Sequence, residues 1–397
     1  MRQFLKFTPL LLSFAAFLAA IWIVAPAPDY RIWLFSVAAS EWSLWLGAIA
    51  LLGVIGGLFS RHFDGKGKLP IISSIVGSVA LVIALYPFFS VIPLARERAI
   101  PLSLKRYFSG LWNENNSADS ETKNYATYTY TQADGKDLQL DIYLPTTISD
   151  NNGASVIVVH GGSWSGGRRS DFPQWNRWLA AHGFTVFDVD YRLTQPNYLT
   201  ATGDVKCAVR WAREHAAEFG VAPERTALLG RSAGAHLALL AAYSTDDARL
   251  SSTCRDEKQS EQIRAVVSFY APTDLLWDYD NPANESVIDG PATLSSFVGG
   301  SPHESAEMRE RYVLASPVAH VSAAAPPTLL IHGGQDQLVR EENMQFLADK
   351  LRAAHTAHQT IVIPYAQHGF DYNFNGFGAQ LVQPEILRFL NANTRAE

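Results

Sequence analysis

The chain has 397 residues, 48% hydrophobic, 18% charged and 12% aromatic, with a formal net charge of −6. That balance excludes a disordered chain, and the length suggests two or three structural units. The charge is unevenly divided: residues 1–110 hold ten basic and four acidic side chains, whereas the other 287 residues hold 22 and 34. An acidic C-terminal part argues against nucleic acid as a partner, because phosphate binding needs a basic face. Two cysteines, Cys207 and Cys254, exclude a disulfide-dense scaffold and a zinc site built mainly from Cys.

Three uncharged apolar stretches fill the first hundred residues, at about 7–24, 42–60 and 69–94. Each is long enough to cross a hydrocarbon core at 1.5 Å per residue, so three transmembrane helices are expected. Trp22, Trp33, Trp42 and Trp45 fall near predicted span ends, as an interfacial belt would; plain hydrophobic filling gives the same pattern. Gly53 and Gly57 have the GxxxG spacing that permits close helix approach. The first stretch has a basic start (Arg2, Lys6) and small residues at 25–27, but its apolar run exceeds a usual signal h-region, so an uncleaved helix is favoured. Three spans put the chain ends on opposite sides. The positive-inside count is a tie, with Arg2, Lys6, Arg61, Lys66 and Lys68 against Arg31, Arg96, Arg98, Lys105 and Arg106. The basic start and the short 61–68 loop favour N-inside, which places the C-terminal domain outside the cytoplasm. There Cys207 and Cys254 could pair; two free thiols fit equally well. The expected organisation is a membrane domain at 1–105, a linker at 106–124 centred on the polar run 110–124, and a catalytic domain at 125–397.

From residue 125 strands and helices alternate. Strands are expected at 125–131, 138–144, 155–159, 185–190, 226–229, 263–270, 328–331 and 360–363, and helices at 171–181, 202–219, 232–243, 341–354 and 383–392. The middle strands are continuous Val/Ile/Leu runs, as in a sheet covered on both faces. Such alternation predicts a mostly parallel α/β sheet with its site at the carboxyl ends of the strands.

Several strand ends carry chemistry. Gly230-Arg231-Ser232-Ala233-Gly234 follows one strand and opens an Ala/Leu helix, the context in which G-x-S-x-G presents a nucleophilic serine on a sharp turn. His160-Gly161-Gly162-Ser163-Trp164 follows another. Its tandem glycines let backbone N–H groups of the 161–163 segment join that of Ala233 in an oxyanion hole. His160 itself reads as an orienting residue. Asp336 and His368 each follow a further strand, in the order Ser, Asp, His expected of such a triad. Asp274 is a competing acid, with helix capping as its alternative role. Trp164 and Tyr191 are candidates for the pocket wall. The long insert at 276–318, with Trp277, Tyr279 and Phe297, either covers the site or is a peripheral excursion.

With these pieces the sequence resembles the α/β-hydrolase superfamily. Within it, it resembles the esterase/lipase group related to hormone-sensitive lipase, in the branch of feruloyl/acetyl-xylan esterase-like proteins and arylformamidases. The carriers are HGGSW (160–164), DYRL (190–193), DVKCAVRW (204–211), GRSAGAHLA (230–238), APTDL (271–275), HGGQDQLV (332–339) and QHGF (367–370). Two departures stand out: HGGSW replaces HGGG, and Arg231 replaces the acidic residue often found beside the nucleophile. The resemblance implies an α/β-hydrolase fold behind the membrane domain. It also implies a serine hydrolase of small-molecule carboxylic esters acting through Ser232, His368 and Asp336, with no metal or organic cofactor. Its insert shapes the acyl pocket, and short acyl chains are expected. The base must be neutral to act, so activity should rise through about pH 6–7, the ordinary histidine range. An arylformamidase or amidase, or an acyltransferase at the membrane, would use the same triad. The oligomeric state is left open.

Overall fold

The structure, a computed structural model, describes residues 4–64, 67–113, 125–146, 151–254 and 260–395. Five helices come first: α1 (Phe4–Ala20), α2 (Tyr30–Glu41), α3 (Ser43–Asp64), α4 (Lys68–Glu97) and α5 (Leu104–Asn113). Of these, α3 and α4 are long and apolar enough to cross a membrane, while α1, with 17 residues, is shorter. The packing of α1, α3 and α4 inverts that of a soluble bundle. Ala16, Ala50 and Ala80 meet at the centre, and the Ser13 and Ser73 hydroxyls bond at 3.1 Å. Large side chains such as Leu11, Leu18, Ile75 and Val82 face outward. Small residues inside and bulky apolar ones outside are what lipid-facing helices show. The two GxxxG glycines serve different neighbours: a Cβ on Gly53 would lie 2.3 Å from Ser13 Oγ, and one on Gly57 would lie 2.8 Å from the Pro70 carbonyl.

The remainder forms one eight-stranded sheet of order β1-β2-β4-β3-β5-β6-β7-β8. The strands are β1 (Tyr125–Ala133), β2 (Lys136–Tyr143), β3 (Ser155–Val159), β4 (Thr185–Val189), β5 (Thr226–Arg231), β6 (Ala265–Phe269), β7 (Thr328–Gly333) and β8 (His358–Ile363). β1 and β2 are a hairpin and β2 joins β4 antiparallel; every later pairing is parallel. The helices α6 (Pro173–Ala181), α7 (Tyr198–Glu214), α8 (Ala233–Tyr243), α12 (Glu342–Ala353) and α13 (Phe377–Asn393) lie at the expected positions. α13 begins six residues earlier than its sequence signal and carries Pro384 within it. The 276–318 insert holds α10 (Gly290–Val298) and α11 (Ala306–Ala315), after α9 (Leu275–Asp280). The chain leaves β3 toward β4 on one side, while β5 sits on the other. The loops after β3 and β5 therefore lie side by side at the switch point, where open α/β sheets bind ligands.

Two sequence expectations change. Residues 106–113 belong to α5 rather than to a linker; the rest of the linker, 114–124, lies outside the described residues. The helix docks on the sheet domain: Arg106 donates to Asn375 Oδ1 (2.9 Å) and to the Phe374 carbonyl (3.0 Å), and the Tyr107 and Phe377 rings stack at 4.5 Å. An amphipathic segment with an aromatic face reads as polar linker until that face has a partner. Secondly, of the three stretches expected to span, two yield helices of spanning length. Cys207 and Cys254 are joined in a disulfide, with Cα atoms 5.2 Å apart.

Candidate active site

Ser232 sits between β5 and α8 with φ 54° and ψ −123°, a strained conformation that lifts its side chain out of the turn. The flanking glycines are required by close approach. A Cβ at Gly230 would lie 2.4 Å from the Gly234 carbonyl, and one at Gly234 would lie 2.2 Å from the His160 carbonyl. Ser232 N donates to the Phe269 carbonyl at 2.9 Å, which ties the turn to β6.

His368 joins two of the other candidates. Its Nδ1 is 2.7 Å from Asp336 Oδ2, and its Nε2 is 2.8 Å from Ser232 Oγ. An ionised carboxylate only accepts, so Nδ1 carries the proton and Nε2 accepts the serine hydroxyl. The other Asp336 oxygen takes the N–H groups of Leu338 (2.8 Å) and Val339 (3.0 Å). Burial alone would raise the Asp336 carboxyl. The electrostatic interaction with His368, with hydrogen bonds from His332 and His368, outweighs it and holds Asp336 below the usual carboxylate range. His332, with Nε2 3.4 Å from Asp336 Oδ2, is a neighbour that the sequence reading did not single out. Asp274 is elsewhere: it caps α9 by accepting from Trp277 N at 3.0 Å.

Gly161 and Gly162 place the post-β3 loop against the serine turn. A Cβ on Gly161 would lie 3.3 Å from Ser232 Cβ, and Gly162, Ser163 and Trp164 all have positive φ. Ala233 opens α8, so its N–H has no partner within the helix. His160 is an internal brace. Its ring stacks on Tyr191 at 4.3 Å, and Tyr191 OH donates to its carbonyl at 3.2 Å. Tyr191 is buried in that contact, away from the cavity described next.

A cavity of about 70 Å³ adjoins Ser232, walled by Trp164, Pro272, Ile288, Leu294, Leu338 and Asp278 among others. Pro282, Ile288 and Leu294 come from the insert, which therefore covers the serine. The insert's aromatic residues brace it instead: Phe297 stacks on Trp164 at 4.2 Å, and Trp277 packs edge-on against Phe346. A larger open cleft of about 970 Å³ runs past Pro26, Asn284 and Arg340. It touches Asp336 but neither Ser232 nor His368, so the smaller cavity is the candidate acyl site.

Arg231 is fully buried. Its Nε donates to Asp371 Oδ2 at 2.5 Å, and its guanidinium lies over the rings of Phe172, Trp175 and Phe269. Asp371 also accepts from Tyr270 OH at 2.5 Å, and the Tyr270 ring is 4.4 Å from that of His368. Nothing in the sequence signalled this pairing: Asp371 carries no motif of its own and lies 140 positions from Arg231. No cluster of metal-ligating side chains occurs among the described residues.

The sheet, the serine turn and the joined imidazole together define an α/β-hydrolase. Residues 140–351 match the BD-FAE family, and the chain belongs to that family. It is 32% identical over 253 residues to "Probable carboxylic ester hydrolase LipM" and 31% identical over 252 residues to "Esterase LipQ", both of Mycobacterium tuberculosis. Each alignment covers 60% of this chain and 54% or 55% of the relative, so the chain spans about half the length of these curated relatives. Among solved structures it is similar to the butyrate-bound form of a thermophilic esterase from the Planctomycetes species Thermogutta terrifontis. That likeness has 26% identity and a TM-score of 0.55, over 68% of this chain and 94% of that one.

Proposed function

We propose that the protein is a membrane-anchored serine esterase that hydrolyses carboxylic esters of short acyl chains. The observation that carries the reading is the single imidazole bonded to Ser232 on one side and to Asp336 on the other. In this mechanism His368 takes the proton of Ser232 as Oγ attacks the acyl carbon. Asp336 holds the ring in its tautomer and stabilises the imidazolium. The backbone N–H groups of the 161–163 segment and of Ala233 receive the oxyanion. His368 then protonates the departing alcohol, and water, deprotonated by the same ring, releases the acid from the acyl-enzyme. A cavity of about 70 Å³ holds on the order of five water-sized groups, which suits a few acyl carbons. The relatives named as esterases support the reaction class.

The same reading assigns α1, α3 and α4 to the membrane as three spans, with residues 125–397 as the catalytic domain outside the cytoplasm. The disulfide suits an oxidising compartment. Arg98 and Arg106, two of the cations on the catalytic side, are engaged with the sheet domain and so count less toward orientation. A C-terminal reporter fusion tests the side.

The catalytic test uses the full chain in detergent with p-nitrophenyl butyrate. Ser232→Ala should abolish turnover. Asp336→Asn should lower kcat by about 10⁴-fold, the usual consequence of losing the orienting carboxylate. Asp274→Ala should cost about 1 kcal/mol of stability, as a lost cap, and leave kcat near wild type. Equal losses at Asp336 and Asp274 would sink the assignment. Turnover of N-formyl amides in preference to esters would move it to the formamidase class.

A further inference from the structure

The candidate acyl cavity contains one group that the hydrolytic mechanism does not use. Its wall is apolar at Trp164, Pro272, Ile288, Leu294 and Leu338, yet Asp278 also lines it. The orientation of this carboxyl is fixed by Asn343, which is fully buried. Asn343 Oδ1 accepts from Thr273 N (2.7 Å) and Asp274 N (3.2 Å), so its amide nitrogen must face the other way. That nitrogen donates to Asp278 Oδ1 at 2.6 Å. Asp278 Oδ2 is buried and has no hydrogen-bond partner among the described residues.

The charged groups nearby are committed elsewhere. Arg340 Nε donates to the Pro282 carbonyl at 3.1 Å, His332 Nε2 donates to the Val339 carbonyl at 3.0 Å, and Asp274 caps α9. Burial pushes the Asp278 carboxyl up to about 7. A buried polar atom left without a partner is destabilising, so it calls for an explanation. Packing supplies none: Oδ1 alone completes the bond to Asn343, and an apolar side chain would line the cavity at lower cost.

We infer that Asp278 reads the acyl group, and that the substrates are esters of small acyl chains carrying a hydrogen-bond donor, a hydroxyl or an ammonium, beyond the carbonyl. The inference rests on the esterase reading and names the substrate class of that site. A donor on the acyl chain partners Oδ2, and an alkyl chain of the same size leaves it unpaired. A site built to bond a polar substituent discriminates strongly against the analogue that lacks it.

The test uses the full chain in detergent and the p-nitrophenyl esters of butanoate, 3-hydroxypropanoate and 3-aminopropanoate. These differ only in a terminal methyl, hydroxyl or ammonium. After correction for spontaneous hydrolysis, kcat/KM for at least one donor-bearing ester should exceed that for butanoate ten-fold or more. The better of the two identifies the donor. In Asp278→Leu the ratio should fall to about one or invert. Asp278→Asn, which keeps the shape without the charge, should lose any ammonium preference and keep part of any hydroxyl preference. Uptake of a fluorophosphonate by Ser232 reports that each variant is folded. Wild-type butanoate turnover equal to or above both others, or a ratio unmoved by Asp278→Leu in a labelled protein, would overturn the inference. No turnover of any ester, with no fluorophosphonate uptake, would overturn the esterase reading beneath it.

Discussion

Asp371→Ala should destabilise the protein severely, and the amount follows from what Asp371 leaves behind. Its carboxylate is the only hydrogen-bond partner of the buried Arg231 guanidinium among the described residues; Nη1 and Nη2 already have none. Both side chains are at most 1% exposed, so neither water nor salt can replace the lost partner. Removing one member of such a pair costs about 3–5 kcal/mol, because a buried charge is left uncompensated. At about 2–4 °C per kcal/mol for a domain of this size, the thermal midpoint should drop by about 6–20 °C. The assay is a thermal scan of the full chain in detergent, read by circular dichroism and by residual fluorophosphonate uptake. Replacing both partners, Arg231→Met with Asp371→Leu, should recover part of the loss, since an apolar pair of similar volume is often as stable as the ion pair; the buried Tyr270 hydroxyl, which also loses its acceptor, keeps the rest. A drop below about 3 °C in the single variant, or a double variant less stable than the single, would refute the reasoning.

Two further outcomes follow from other groups. His236 accepts from Trp164 Nε1 at 3.2 Å and donates Nε2–H to the Ala315 carbonyl at 2.7 Å, so it is neutral; burial lowers its pKa to about 4. The unfolded chain binds this proton near pH 6.5 and the native state only near 4. Stability should therefore be intact above about pH 6.5 and fall by about 3 kcal/mol on acidification to pH 4. Thermal midpoints across that window should fall less steeply for His236→Gln than for wild type; parallel slopes would count against it. Arg106→Ala removes the bonds to Asn375 and the Phe374 carbonyl, in the loop that carries His368. Per fluorophosphonate-titrated serine, kcat should fall several-fold with KM little changed, and Arg106→Lys should recover part of it; an unchanged kcat per site would refute the coupling.

What could be read from the sequence is what depends on neighbours in the chain. The serine turn was legible because the glycines, the strand before and the helix after stand within twenty residues. Asp336 and His368 were legible because each follows a recognisable apolar strand. Choosing Asp336 over Asp274 needed strand order, and the fold gives the reason for the difference: Asp274 already spends its carboxylate on a helix N-terminus. Arg231 looked like a departure from an acidic residue beside the nucleophile. The fold places a carboxylate there after all, but brings it from Asp371. Tyr191 looked like a pocket residue because it follows a strand end. Here the ring has found His160. The same limit explains α5: an amphipathic segment gives no sign of which surface it will meet.

The surface that the N-terminal helices meet bears on the chemistry. The loop carrying His368 is held by the N-terminal unit at several points. Gln367, before the histidine, accepts from Gln337 (3.2 Å), and Gln337 in turn accepts the N–H of Ala27 (2.8 Å) from the α1–α2 connection. Asn373, after it, donates to the Glu41 carbonyl at 3.3 Å, and Arg106 binds the next two residues. An imidazole that must stay within about 0.5 Å of its working position needs a braced loop. Here the brace is the N-terminal helical unit, not only the sheet. A unit whose hydrogen bonds fall on both sides of His368 does more than adjoin the sheet domain: it is part of the scaffold that holds His368 between Ser232 and Asp336.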